Sequence, residues 1–153
     1  ERLGGNQPHD FASWQPDFEV VNLGTNDAAS FDQPEVVDQY TKESHKMRRE
    51  PDGTYRKEDM RSFQRAVKDF LALIRACNPG ANIIWCYGML GIDLQLYICE
   101  AVSAYARETG DSKVSYLQLP DTTSESVGSR EHPGYLCHKQ AAEVLAGYIT
   151  KFL

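Results

Sequence analysis

At 153 residues the chain has the length of one domain, enough to bury around two-thirds of its unfolded surface in a single core, and residues 1–153 read as that one domain. Its composition, 41% hydrophobic and 25% charged with a net charge of −6, is that of an ordinary globular protein. An acidic balance without a basic patch argues against nucleic acid as a partner. No apolar run approaches membrane-spanning length, which argues against a membrane partner, and no signal peptide is visible.

Residues 1–15 read as a loop, punctuated by Gly4-Gly5-Asn6 and Pro8, with His9 as a surface histidine. Residues 18–23 read as a buried strand: Val20, Val21 and Leu23 are apolar, and Pro16-Asp17 forms a turn-like entry. Gly24 breaks the strand and places the amide of Asn26 just past its carboxyl end, where ligands bind in open α/β sheets. A fixed Asn side-chain N–H there can stabilise negative charge developing on a substrate oxygen. Equally, Asn26 and Asp27 can form an Asx-turn or cap the segment that follows.

From 30 to 59 the chain is strongly polar, and between 34 and 61 seven acids balance seven bases. Val36, Val37, Tyr40 and Met47 predict a short amphipathic helix there, and Pro51-Asp52-Gly53 a turn. A long connection beside a candidate site serves as a lid or a substrate-contacting insertion, or else is a solvated excursion. Met60, Phe63, Val67, Phe70, Leu71, Ile74 and Cys77 then recur at three- and four-residue spacing, one apolar helix face stopped by Asn78-Pro79-Gly80. Residues 83–87 read as a second strand ending at Gly88. Leu94, Ile98, Ala101, Val102 and Tyr105 mark a second helix closed by Gly110-Asp111. Residues 114–119 read as a third strand, 121–131 as a polar loop, and Cys137, Ala141, Val144, Leu145, Tyr148, Ile149 and Phe152 as the face of a C-terminal helix. The four cysteines, Cys77, Cys86, Cys99 and Cys137, lack metal-ligand spacing and read as buried free thiols, with a disulfide as the alternative.

Strand and helix alternate three times, which argues for a parallel sheet covered on both faces, an α/β three-layer sandwich. His132-Pro133 stands where the last loop becomes the last helix, with Pro133 suited to the first helical position. This loop and Asn26 both lie at the carboxyl edge of the sheet. A histidine there can act as general base for acyl transfer, facing an oxyanion donor from the neighbouring loop; the plain alternative is a helix-entry residue with no chemistry.

The residues from Val20 to Asp27 resemble the Gly-x-Asn-Asp block of the SGNH (GDSL-type) hydrolases. His132-Pro133, with His138 and Ala141-Ala142 following, resembles that family's final block, in which the catalytic His precedes a Pro and the last helix. Ile83-Ile84-Trp85-Cys86-Tyr87-Gly88-Met89-Leu90-Gly91 resembles its carbohydrate-esterase branch, which includes acetylxylan esterases. Order and spacing fit from 14 to 153. The resemblance implies a flavodoxin-like sheet, an oxyanion hole that includes Asn26, His132 as general base, substrate-binding positions at Gly24 and Asp27, and hydrolysis of an ester, an O-acetyl group on a carbohydrate. It implies no metal or organic cofactor.

The family's Gly-Asp-Ser and Gly blocks have no counterpart here, and Ser124, Ser126 and Ser129 sit in a loop without the strand-to-helix turn that presents a nucleophile. The chain is therefore expected to be the C-terminal part of such a hydrolase, inactive alone. The acid that usually stands three residues before the His is Ser129 here; Glu131 is adjacent to His132 and poorly aimed to orient its ring. Part of the carbohydrate-esterase branch resembles a Ser-His dyad in which a backbone carbonyl orients the His, an arrangement that suits this loop. The rival expectation is a catalytically silent binding or assembly module. A nucleotide binder is disfavoured by the lack of a Gly-x-Gly-x-x-Gly or P-loop stretch. The first strand is expected to be an open edge, held by a missing N-terminal half or self-associating.

Overall fold

A computed structural model describes residues 9–153; the Gly4-Gly5-Asn6 and Pro8 part of the predicted N-terminal loop lies outside the described residues. After a 3₁₀ turn at Phe11–Ser13, the elements run β1 (Phe18–Asn22), α1 (Thr25–Ser30), β2 (Val36–Val37), β3 (Ser44–His45), α2 (Lys57–Cys77), β4 (Asn82–Met89), α3 (Gln95–Thr109), β5 (Val114–Asp121), a 3₁₀ turn at Ser129–Glu131, α4 (Tyr135–Ile149) and a last 3₁₀ turn at Thr150–Phe152.

β1, β4 and β5 form a parallel sheet in the order β1-β4-β5, with Val20 opposite Ile84 and Cys86 opposite Leu117. β4 lies in the middle, and its residues Ile83, Ile84, Trp85, Cys86 and Tyr87 are all buried. A strand covered on both faces is apolar without interruption rather than in alternation. Ile83, Trp85 and Tyr87 join the larger core, with Val67 and Leu71 of α2 and Ile98 and Val102 of α3. Ile84 and Cys86 join a smaller one, with Leu119 of β5 and Cys137 and Ala141 of α4. The layers are therefore α2 with α3, the sheet, and α4, the predicted α/β sandwich.

α2 buries Met60, Phe63, Val67 and Leu71, while Glu58 and Asp59 in its first turn and Arg75 in its last complement the helix dipole. Its end is fastened to the start of the strands. Arg75 Nε donates to Asp111 Oδ2 at 2.7 Å, and Nη1 donates to the carbonyls of Asn78 and Ala81 at 3.0 and 2.7 Å. The turn predicted at Pro51-Asp52-Gly53 is present, closed by Glu50 N donating to Thr54 O at 2.7 Å. The four cysteines are free thiols; Cys86 and Cys137 are buried as expected, whereas Cys77 and Cys99 are half-buried.

Two local expectations are corrected. The helix expected at Val36, Val37, Tyr40 and Met47 is an antiparallel hairpin of β2 with β3. Adjacent β-branched valines favour extended backbone. Asp38 Oδ1 then accepts from the backbone N–H of Tyr40 at 2.8 Å and of Thr41 at 2.7 Å, an Asx-turn that competes with a helix. Nor does Pro133 open α4. The helix begins at Tyr135, and Pro133 bridges Val127 instead, because Gly134 N donates to Ser126 O at 2.8 Å and keeps the entry extended.

β1 pairs only with β4 among the described residues. Only Val21 of the strand expected to be buried is so; Val20, and Leu23 just past the strand's end, are 42% and 54% exposed, and with Phe70 and Leu73 they line a cavity of about 550 Å³. Phe70, on the predicted core face of α2, meets this flank and Trp85 edge-on, ring centroids 6.1 Å apart.

Candidate active site

In a parallel sheet all strands end at one edge, and here the candidate residues hang from it. β1 turns into α1 through Gly24, whose φ is +126°. A Cβ at that position would stand 2.8 Å from Ile98 Cδ1 and 3.0 Å from Tyr87 Cε2, so glycine is what lets the chain turn this close to the core. The turn sets Asn26 and Asp27 in the first turn of α1, both exposed. Their side chains line a cavity of about 660 Å³, shared with Val36, Lys46 and Phe63.

On the other side of β4, β5 ends at Asp121. Its Oδ1 accepts from the backbone N–H of Gly91 and of Thr122, both at 2.9 Å, which ties the loop after β4 to the loop after β5. Ser126 is buried and its Oγ accepts from Thr123 N at 2.8 Å, while Ser124 and Ser129 are exposed. The chain then passes through two successive left-handed residues, Arg130 at φ +54° and Glu131 at φ +63°. For non-glycine residues this costs about 1–2 kcal/mol each, so the surroundings must impose it. They do so through backbone bonds: Gly128 N to His132 O at 2.6 Å, His132 N to Ser129 O at 3.1 Å, and Gly134 N to Ser126 O at 2.8 Å. Gly128 and Gly134 permit that closeness, since a Cβ on either would lie 2.9 or 2.8 Å from the opposing backbone.

The strained turn brings the Arg130 carbonyl to 2.8 Å from Nδ1 of the exposed His132. A carbonyl oxygen only accepts, so Nδ1 carries the hydrogen and the neutral ring keeps its lone pair on Nε2. Glu131 is exposed and lines a separate cavity of about 450 Å³ with Gly91, Asp121 and Thr122; the bond to the ring comes from the Arg130 backbone, not from the Glu131 carboxylate. β1 and β5 are two strands apart, roughly 10 Å by ordinary strand spacing, and no hydrogen bond joins Asn26 to His132 among the described residues. His138 is exposed on α4.

Beneath this edge the interior disfavours charge: burial pushes the Cys86 thiol up to about 11 and the Tyr116 phenol up to about 12. Among the described residues no group of three or more His, Cys, Asp or Glu side chains gathers as a metal site. A carbonyl beside His132 is the arrangement that suited the family resemblance; that Arg130 supplies it, and the contacts of Lys46 and Asp121, are not legible in the sequence. Gly128 and Gly134, bracketing the histidine, are the signal for the tight turn.

The chain is 29% identical over 151 residues to the cellulase/esterase CelE of Acetivibrio thermocellus, a match that covers 94% of this chain and 15% of that protein. Among solved structures, an acetyl xylan esterase, Est2A, from the rumen bacterium Butyrivibrio proteoclasticus superposes with a TM-score of 0.89 at 49% identity, over 94% of this chain and 38% of that one. The chain's homologues are carbohydrate esterases. A family two carbohydrate esterase from Clostridium thermocellum, solved in complex with cellohexaose, superposes with a TM-score of 0.67 at 28% identity, over 93% of this chain and 38% of that one. The fold they share with this chain is the SGNH-type α/β sandwich. The chain spans well under half of each of these relatives. No protein-family model matches it.

Proposed function

We propose that residues 1–153 are the C-terminal part of one SGNH-type domain, that of an esterase which removes O-acetyl groups from carbohydrate, with the nucleophilic Ser supplied from outside this chain. The observation that carries the reading is the 2.8 Å contact between His132 Nδ1 and the Arg130 carbonyl. It fixes the tautomer and the direction of the ring, which is what a general base requires of its third partner. The relatives' names, an acetyl xylan esterase and a cellulase/esterase, support the substrate class, as does the cellohexaose complex of a third.

In this mechanism the serine Oγ attacks the acetyl carbonyl carbon while His132 Nε2 takes the hydroxyl proton. The Asn26 side-chain N–H stabilises the negative charge that moves onto the carbonyl oxygen. The C–O bond to the sugar then breaks, and His132 returns the proton to the departing sugar oxygen, leaving an acetyl-serine. Water, deprotonated by His132, then attacks that ester; the bond to Oγ breaks, His132 gives the proton to Oγ, and acetate leaves the free serine. Gly24 sets α1 close to the sheet edge and Asp27 offers its carboxylate to substrate hydroxyls. The Arg130 carbonyl orients the imidazole, with the Glu131 carboxylate as the competing third member. No metal or organic cofactor enters. β1's free flank is where the N-terminal half of the domain pairs.

The test has two arms. This chain alone should give no turnover of p-nitrophenyl acetate; turnover abolished by His132→Ala would overturn the placement of the nucleophile. In the parent polypeptide, Asn26→Ala should lower kcat roughly 10²- to 10³-fold with little change in KM, and His132→Ala should cost on the order of 10⁴-fold. Equal, few-fold losses for the two would overturn the site.

A further inference from the structure

α1, the helix that carries Asn26, is only six residues long, so it spans roughly 9 Å. It packs on the core through Ala28 and through Phe31 at its end, a small contact area. Its N-terminal end hangs from Gly24, a residue at φ +126° with no side chain of its own, and so is held as on a pivot. What happens at its other end decides where Asn26 points.

That end is gripped by the segment just after β3. Lys46 is half-buried, and its ammonium donates to the carbonyls of Ser30, at 3.5 Å, of Phe31, at 3.0 Å, and of Gln33. Ser30 closes α1, Phe31 is its C-cap and Gln33 lies just beyond, so the ammonium sits at the end of the helix where the dipole favours a cation. One ammonium meeting three carbonyls ties the end of α1 to the chain that follows it. Phe31 beside it is buried and packs against Tyr55, centroids 4.3 Å apart and rings tilted by 42°, with the Arg49 guanidinium 5.4 Å from the Phe31 centroid. Lys46 lines the same cavity as Asn26. The polar excursion between α1 and α2 thus returns to α1 and closes on it.

We propose that Lys46 is a positioning residue for Asn26, acting through α1: the hairpin segment exists in part to deliver this one ammonium to the end of the helix whose other end carries the oxyanion donor. The inference rests on the proposed role of Asn26. Releasing the three carbonyls lets α1 shift about Gly24, and displacement of a catalytic donor by about 1 Å can cost on the order of 10²-fold; with Phe31 still anchored, a loss of roughly 10-fold is expected here.

The experiment is a double-mutant cycle on the parent polypeptide, with kcat and KM for an acetylated carbohydrate measured for Lys46→Met, Asn26→Ala and the pair. Methionine keeps the stem and removes the donors. Lys46→Met should lower kcat roughly 10-fold and leave KM within about 2-fold, and Lys46→Arg should recover most of the loss. In the Asn26→Ala background the same change should cost nothing further, because the group it positions is gone. Equal losses from Lys46→Met in both backgrounds would overturn the inference and leave the Asn26 reading intact. No effect of Asn26→Ala would overturn both. If Lys46→Met fails to fold, Lys46→Gln, which keeps a neutral donor, replaces it in the cycle, and additivity there would be equally fatal.

Discussion

If the Arg130 backbone rather than a carboxylate orients His132, activity must follow the conformation of residue 130 and ignore its side chain. Arg130 sits at φ +54° and ψ +39°, at a cost of about 1–2 kcal/mol for a residue with a Cβ. Glycine pays no such steric cost but leaves the unfolded chain freer, which gives back about 0.4–1 kcal/mol. Arg130→Gly should therefore range from neutral to about 1.5 kcal/mol more stable, by urea denaturation, with kcat unchanged. Arg130→Val puts a β-branched side chain where such residues are outliers, at about 1 kcal/mol or more beyond arginine. The peptide relieves that strain by rotating, which turns the carbonyl away from Nδ1, 2.8 Å off in the native turn. The ring then loses its tautomer lock and its aim, and kcat in the parent polypeptide should drop on the order of 10²-fold. Glu131→Gln, which leaves the backbone alone, should stay near the wild-type rate. A folded Arg130→Val enzyme at full rate, or a 10²-fold loss from Glu131→Gln, would refute the carbonyl assignment and give the role to the carboxylate.

The other expectations are about the body of the domain. The Cys86 thiol and the Tyr116 phenol both hold their protons more tightly folded than unfolded, pushed up to about 11 and about 12 by burial. Raised folded values mean that their contribution is complete below the ordinary thiol value of 9.0 and lost as pH rises through 11 and beyond; the urea midpoint should fall steadily over that window, and a flat profile would contradict the burial argument. The exposed edge of β1 should make this chain self-associate when isolated, measured by size-exclusion chromatography with light scattering, and Val20→Lys should suppress it because a charge on an edge opposes strand pairing. A stable monomer of the wild-type chain at high concentration would show that the edge is covered from within.

What the sequence could disclose was the part that apolar periodicity encodes. β4 announces itself as an unbroken apolar run because both its faces are covered, and α2 as a stripe because one is. The hairpin at Val36–Val37 was hidden for a matching reason: Val36, Val37 and Tyr40 are exposed, so no core pattern marks them, and their spacing mimics a helix by coincidence while Asp38 decides the backbone. The site divides along the same line. Asn26 and His132 carry their candidacy in side-chain chemistry and are visible in a string of letters. The Arg130 carbonyl belongs to the backbone, and nothing in the letter at position 130 records that its φ is positive. Lys46 is invisible because it acts on carbonyls, which every residue has, and only the fold says which three it meets.

On the proposed reading, the flank of β1 left unpaired among the described residues is also where the nucleophile arrives. A strand added parallel to β1 on its free side lies about 4.8 Å from it and ends at the same edge, beside Gly24 and α1 rather than beside β5. A serine presented there is next to Asn26 at once, but it is three strand spacings from β5, roughly 14 Å. A histidine placed directly at the end of β5 would fall short of it. His132 instead comes eleven residues after Asp121, on a loop whose extended reach, up to roughly 35 Å, exceeds the gap with length to spare. Spare length would ordinarily mean a loose histidine. The turn bracketed by Gly128 and Gly134 removes that slack with backbone bonds at 2.6, 3.1 and 2.8 Å, and the two left-handed residues are what it costs to close the turn that tightly. Within that closed turn the Arg130 carbonyl meets Nδ1 at 2.8 Å, and the proposed reading requires the parent's serine to come within reach of Nε2.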